Sequence, residues 1–464
     1  MKKVVSIIKK FIEKPEYIFL LFGLLGGCLF SFLIPVLQVP DEYDHIRYMC
    51  NAFGTPELFD EMSGTVFLNS SSADAIGNAD VKIDKEKYKA SLKDSFTTKK
   101  RITDLRLSKR SIWYLPCAIG FYISYFIGAK MLVCLQVGEL FSLLFYLGMG
   151  YLSITQLPIK KRIMTFWLLA PMTIQQCSSY NYDAVLIPCC FLLISYLLKL
   201  KIEDNIIKWR NIILPSILLL IIAIVKLPYL LIAGILFTIP LDKYDLKIGR
   251  NLDLVFLFKK YRFLLISLFI ITMICMLYIL RNNTFIKLLF ASILEIDSLL
   301  RMFVQSCKEL HAYYLVTLVG SFAWLDTNVS SIYCVIFFSM FTYIFISDTD
   351  NAKEKRVGKV DRIVIILLCI SMLILIMISM LTWSFYVYGL DITGPLLTVR
   401  EGIRTLSRFD GVQSRYFIPF IPLLCVAFKS KGINNEKNFL AYDMFFYLFS
   451  ISYVCSLLIH RFWG

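Results

Sequence analysis

The sequence predicts an all-α polytopic membrane protein, and three observations support that class. Of 464 residues, 58% are hydrophobic and only 18% charged, against roughly 45–50% apolar and about 25% charged in soluble domains. Mean hydropathy is +0.68. The apolar residues fall in unbroken runs instead of alternating with polar ones, which argues against a membrane β-barrel and for helices that satisfy their own backbone in lipid. The same spread excludes disorder, collagen and a small disulfide scaffold.

The elements follow in order. Five lysines precede an apolar run from Tyr17 to Gln38, long enough for a hydrocarbon core of about 30 Å. With no small-residue cleavage site it is expected to remain as a first span, its N-terminus cytoplasmic. Residues 39–110 turn polar and form a large first extracytoplasmic loop. Residues 111–129 are short, broken by Pro116 and rich in Trp and Tyr, which suits an interfacial helix better than a crossing. That choice puts Lys160, Lys161 and Arg162, after a Met131–Thr155 span, on the cytoplasmic side.

Further spans are expected at Met164–Cys177, Ala184–Leu198, Ile212–Val225, Tyr229–Ile239 and Phe263–Leu280. Others follow at Ser331–Ile346, at Ile363–Phe385, from Tyr416 and at Leu440–Ile459. The total is about eleven in one integral membrane domain, residues 1–464, with more extracytoplasmic segments at 281–329 and 386–415. Every short inner loop is then basic.

The net charge of +15 accordingly reflects loops facing anionic membrane lipids, with no nucleic-acid partner implied. Thirteen cysteines show no CxxC and no Cys/His metal spacing. Most, such as Cys28, Cys134, Cys275, Cys369 and Cys455, lie in apolar runs as small hydrophobes. Cys50 and Cys307 are the externally placed candidates for a disulfide. Phosphate-loop, dinucleotide-fold and serine-hydrolase motifs are missing, as is inverted-repeat symmetry.

Ionisable residues at the membrane face cost free energy unless paired or solvated, and so mark candidate sites. Asp41, Glu42, Asp44, His45 and Arg47 crowd directly after the first span. Neighbouring carboxylates raise one another's pKa and an arginine lowers it, which can poise a base. Capping of a helix by Asp41 and Glu42 is the plainer alternative. Tyr182-Asp183 forms a polar tip between two apolar runs, where Asp183 could equally cap the next helix. Lys226 stands at the neighbouring apex as a phosphate ligand or a snorkelling lysine. Arg404, Arg408, Gln413, Arg415 and Tyr416 precede a late span, and guanidinium forks suit phosphate oxygens. Binding of outer-leaflet headgroups would also explain those arginines.

Taken together, these pieces resemble a bacterial polytopic membrane family of unknown function often encoded with cell-surface polysaccharide genes. The matching stretches are Val39-Pro40-Asp41-Glu42 with His45 and Arg47, Tyr182-Asp183 after Ala170-Pro171-Met172, and Lys226-Leu227-Pro228-Tyr229. Gly320-Ser321-Phe322-Ala323-Trp324-Leu325-Asp326 and Gly411-Val412-Gln413-Ser414-Arg415-Tyr416-Phe417-Ile418-Pro419 complete them. Ser414 stands where the family has glycine. Tyr43-Asp44 replaces a Pro-Ala-like pair, so Asp44 inherits no role.

That family in turn looks like the C-type glycosyltransferases: an acidic pair on a first external loop, interfacial helices, then many spans. The resemblance implies transfer of a sugar from a polyprenyl-phosphate donor to a glycan or lipid-linked acceptor outside a bacterial plasma membrane. Asp41 or Glu42 would be the base. His45, Arg47, Tyr182, Asp183, Lys226, Arg408, Gln413, Arg415 and Tyr416 would bind substrate, with Arg415 gripping the leaving phosphate. Two adjacent carboxylates permit a divalent cation, Mg or Mn, and nothing requires one. The rivals are a polymerase or ligase of preassembled units, a flippase or transporter of lipid-linked sugars, and a scaffold without activity.

Overall fold

The structure, a computed structural model, describes residues 14–63, 81–97, 109–248, 282–348, 351–430 and 436–464, with scattered residues between 252 and 280. Most of the N-terminal basic segment and of the expected Phe263–Leu280 span lies outside the described residues.

Helix α1 (Pro15–Leu33) opens on a proline, whose missing N–H costs nothing in a first turn. A tight loop leads to α2 (Glu42–Ala52), then α3 (Pro56–Ser63) and α4 (Lys85–Ser91). In α2 the buried residues Glu42, His45, Ile46, Met49 and Cys50 recur at helical spacing and form one inward stripe. Helix α5 (Leu115–Phe126) has 12 residues and measures about 18 Å, too short to cross a bilayer core. Tyr114 at its start bonds His45, and Phe121 and Tyr125 pack on Phe96, so both halves sit on the 39–97 segment. Leu115, Ile119, Ile123 and Phe126 line its exposed side.

Helix α6 (Met131–Gln156) is followed by α7 (Lys161–Leu168) and α8 (Pro171–Cys177). The expected Met164–Cys177 span is thus two short helices. Pro171 bars helical geometry at the preceding residue, and Ala170 is extended at φ −59°, ψ 132°. Helix α9 (Asp183–Ile202) is buried along nearly its whole length and forms the axis of the bundle. Helix α10 (Trp209–Val225) and a 3-10 segment, Leu227–Thr238, pack on it.

The later chain comprises α11 (Thr284–Leu294), α12 (Ile296–Val319), α13 (Ser331–Ser347), α14 (Asn351–Glu354), α15 (Lys359–Val387) and α16 (Leu396–Thr405). A 3-10 turn, Ser414–Phe420, then runs into α17 (Ile421–Val426), and α18 (Glu436–Phe462) closes the described chain. Among the described residues, five helices are long and apolar enough to cross a membrane: α1, α6, α9, α15 and Ala441–Phe462 of α18. Shorter apolar helices accompany them: α10, α11, α13, the 3-10 segment 227–238, and the 414–420 turn continued by α17. Two hairpins of two-residue strands, at 247–253 and 321–328, are the sheet found among the described residues.

The apolar interior falls into two parts. The larger surrounds α9 and is built by α1, α6, α10, α13 and α18. The smaller joins α11, α12, α16, residues 406–412 and the end of α15. Residues 285–302 and 390–412 therefore form one lobe, fastened by Glu295 between Arg400 (2.8 Å) and Arg404 (2.7 Å), while Phe322, Ala323 and Val329 pack in the larger part.

Asp183 and Lys201 stand at opposite ends of α9, about 27 Å apart along its axis. At the Lys201 end the basic loops knit into a layer: Lys160–Glu354 (2.8 Å), Arg162–Asp443 (2.7 Å) and Lys201–Asp361 (2.9 Å). Arg356 and Arg362 donate to helix-end carbonyls of Ile202, Val426 and Ala427. The described cysteines are all free, with Cys50 buried and Cys307 exposed.

Candidate functional site

The candidate site lies at the Asp183 end. It starts in the loop after α1, where Leu37 and Asp41 both take left-handed backbone angles, φ 72° and 64°. Such angles cost roughly 1–3 kcal/mol each and persist only where surroundings impose them. Here Glu42 imposes them: its Oε2 accepts the N–H of Leu37 (2.8 Å) and Val39 (3.4 Å). Trp324 donates its indole N–H to the Leu37 carbonyl at 3.3 Å. The loop leaves Asp41 exposed while Glu42 is fully buried.

Residues 178–182 bring the second part. Gly138 on α6 lets the Tyr180 ring lie against that helix, since a Cβ there would collide with the phenol. Tyr180 donates its hydroxyl to the Leu135 carbonyl (2.9 Å) and its N–H to Glu42 Oε1 (3.2 Å). The Asp183 N–H donates to Asn181 Oδ1 (3.0 Å). Asp183 begins α9 without capping it.

The third part is the 414–420 turn. Ser414 donates its N–H to Thr317 Oγ1 (3.2 Å), and Tyr229 donates its hydroxyl to the Tyr416 carbonyl (2.7 Å). These bonds hold Arg415 inward, where Nη1 donates to Gln176 Oε1 at 2.6 Å. The same oxygen accepts from Asn181 Nδ2 at 2.6 Å, so Gln176 ties the second part to the third. Lys226, at the end of α10, places its ammonium 3.9 Å from the Tyr416 ring centroid and 5.7 Å from that of Tyr182.

Charge in this pocket is buried and unneutralised at close range. Arg415 is 3% exposed and Asp183 4%. Among the described residues no ion pair joins either of them, or Lys226, to an opposite charge. They sense one another at longer range, together with Asp41. Burial, with Arg415 adding to it, draws Lys226 down to about 8 against the pull of Asp183. Burial, and then the charge of Arg415, draws His45 down to about 4, so the ring is neutral and shares a 2.7 Å hydrogen bond with Tyr114. Arg415 Nε, Gln175, Gln176 Nε2, Gln413 Oε1 and Thr173 Oγ1 are buried polar groups with unmatched hydrogen-bonding capacity.

The structure therefore brings Asp41, His45, Tyr182, Asp183, Lys226, Gln413, Arg415 and Tyr416 together. It does not bring Arg47, which pairs with Asp44 at 2.7 Å on the outer side of α2. Nor does it bring Arg408, which binds Glu309 (2.8 Å) and Asp410 (3.0 Å) in the smaller lobe. Glu42 belongs to the frame behind the pocket. Both its oxygens accept backbone N–H groups, which leaves Asp41 as the exposed carboxylate of the pair. No three His, Cys, Asp or Glu side chains gather as a metal set among the described residues. Two participants were missed in the sequence: Gln176, which carries no signal, and Glu139 in α6, an ionisable residue alone in an apolar run.

A helical membrane bundle with a buried, charged pocket at one end of its longest buried helix is the class that fold and site define. The chain belongs to the family described as Predicted membrane protein (DUF2142), whose model matches residues 24–424. No curated protein and no solved structure matches it.

Proposed function

We propose that the protein is a glycosyltransferase that moves a sugar from a polyprenyl-phosphate donor to a glycan or lipid-linked acceptor at the outer face of a bacterial plasma membrane. The observation that carries this proposal is the pocket itself: two cations, Arg415 and Lys226, without ion-pair partners among the described residues, beside an exposed carboxylate on a constrained turn. A buried cation lacking a counter-charge is costly and suits an anionic ligand. The opposite end of the bundle, where Lys160, Arg162, Lys201, Arg356 and Arg362 collect, faces the cytoplasm by the inside preference of basic residues.

In this mechanism Asp41 takes the proton of the acceptor hydroxyl as its oxygen bonds the anomeric carbon. The bond from that carbon to the phosphate oxygen breaks on the opposite face, with inversion, and Arg415 and Lys226 hold the charge that gathers on the departing polyprenyl phosphate. Tyr182 and Tyr416 wall the cations in. The test is transfer by purified protein with synthetic polyprenyl-phosphate sugars, wild type against Asp41→Asn. Loss of transfer with an unchanged thermal melt is expected; equal rates would sink the proposal. Glu139 inside a span favours a transporter of lipid-linked sugars instead, and flipping in vesicles with no transfer from any donor would decide for it.

A further inference from the structure

Behind the pocket two carboxyl groups meet. Glu42 spends its oxygens on the N–H groups of Leu37, Val39 and Tyr180. Glu139, which reaches it from α6, accepts the Ser31 hydroxyl of α1 at 2.5 Å and hydrogen-bonds the Glu42 carboxyl. A hydrogen bond between two carboxyl groups requires a proton on one of them.

Among the described residues no positive charge acts on the pair. The titratable groups facing it are Tyr180 of the 178–182 turn, Cys117 of α5 and Tyr88 of α4. All are neutral phenols or thiols. Arg47 points outward to Asp44, and Arg415 acts on Asp183 and on the neutral His45. Two buried carboxylates in contact, without a cation, do not both ionise.

We propose that Glu139 is a positioning residue: it shares one proton with Glu42, and that proton locks residues 37–41 in the turn that presents Asp41. The inference concerns the turn alone and stands whether or not the pocket transfers a sugar. Once the proton leaves, the two charges repel, Glu42 is pushed off its backbone partners, and Leu37 and Asp41 lose the groups that impose their left-handed angles. Burial raises Glu42 from 4.5 to about 7, and the two carboxyls titrate as a unit. The folded protein keeps a proton that the unfolded chain releases. The stability contributed by this proton is full below about pH 4.5 and is lost as pH rises toward about 7. One retained proton lowers the folded-to-unfolded ratio about tenfold per pH unit in that window.

The test uses the full chain in lipid nanodiscs, with infrared difference spectra and hydrogen-exchange mass spectrometry of peptides covering residues 34–46, at about pH 6 and about pH 9. Wild type is expected to show a protonated-carboxyl band at the lower pH only, with at least about tenfold less protection of the segment at the higher pH. Glu139→Gln, whose amide donates as the protonated acid does, is expected to lose the band and stay protected at both pH values. Absence of the band in wild type at the lower pH overturns the proposal. So does a Glu139→Gln segment that loosens with pH as wild type does. Should that variant fail to fold, wild type decides by itself, because band and protection must then titrate together.

Discussion

At the basic end of the bundle Lys160 and Glu354, with side chains 1% exposed, lie 2.8 Å apart, and Lys160 also donates to the Asp348 carbonyl. At the other end Arg415 is buried just as deeply, yet has a neutral glutamine oxygen as its nearest acceptor, and Asp183 stays out of salt-bridge range. The two ends of the same helices thus treat buried charge in opposite ways. Charges closed into ion pairs cross-link loops and fix which helices adjoin. Unsaturated ones are a standing cost that a ligand of opposite charge removes on binding.

The comparison sets out an ordered series of expectations. Asp41→Asn should lower transfer by 10²–10⁴-fold, the usual worth of a general base, read as initial rate with synthetic donor while the melting temperature holds. Glu354→Ala should leave Lys160 buried without a partner and cost about 3–5 kcal/mol, read as a thermal melt of the solubilised protein. Arg415→Met should melt no lower than wild type while losing donor binding. If it falls as far as Glu354→Ala does, the contrast between the two ends is wrong.

Protonation sharpens the contrast further. Lys226 is held down to about 8, so its grip on a phosphate should weaken as pH rises through that value. Titration of donor affinity should show the loss, and Lys226→Arg should flatten it. The smallest effect is expected at Arg47, whose partner Asp44 is half exposed. Arg47→Ala should change stability by less than about 0.5 kcal/mol and leave transfer alone.

Much of this was legible in the chain. The apolar runs gave the helices, and the basic loops, separated by hundreds of residues, do meet in one layer. Asp183, Lys226 and Arg415 announced themselves as ionisable residues at the edges of apolar runs. What escaped has a physical reason. Glu42 turns inward and holds Leu37 and Asp41 at left-handed angles, which a single sequence does not display. The stripe of Glu42, His45, Ile46, Met49 and Cys50 was the available clue, outweighed by counting charges. Arg408 resembles Arg415 in its surroundings along the chain, but its carboxylate Glu309 arrives from α12, and partners so distant in sequence leave no local trace. The break at Ala170-Pro171 was readable from proline alone; its consequence, two short helices that lead into the 178–182 turn at the start of α9, was not.

Residues 409–414 are held by hydroxyls from two different helices: Ser306 and Thr317 of α12 accept from Phe409 and Ser414, and Ser384 of α15 accepts from Asp410. The guanidinium that follows is therefore geared to the relative sliding of α12 and α15. Any molecule that leaned on the outer lobe and shifted one helix along the other would move Arg415 by a comparable distance, giving the pocket a mechanical input remote from its chemistry.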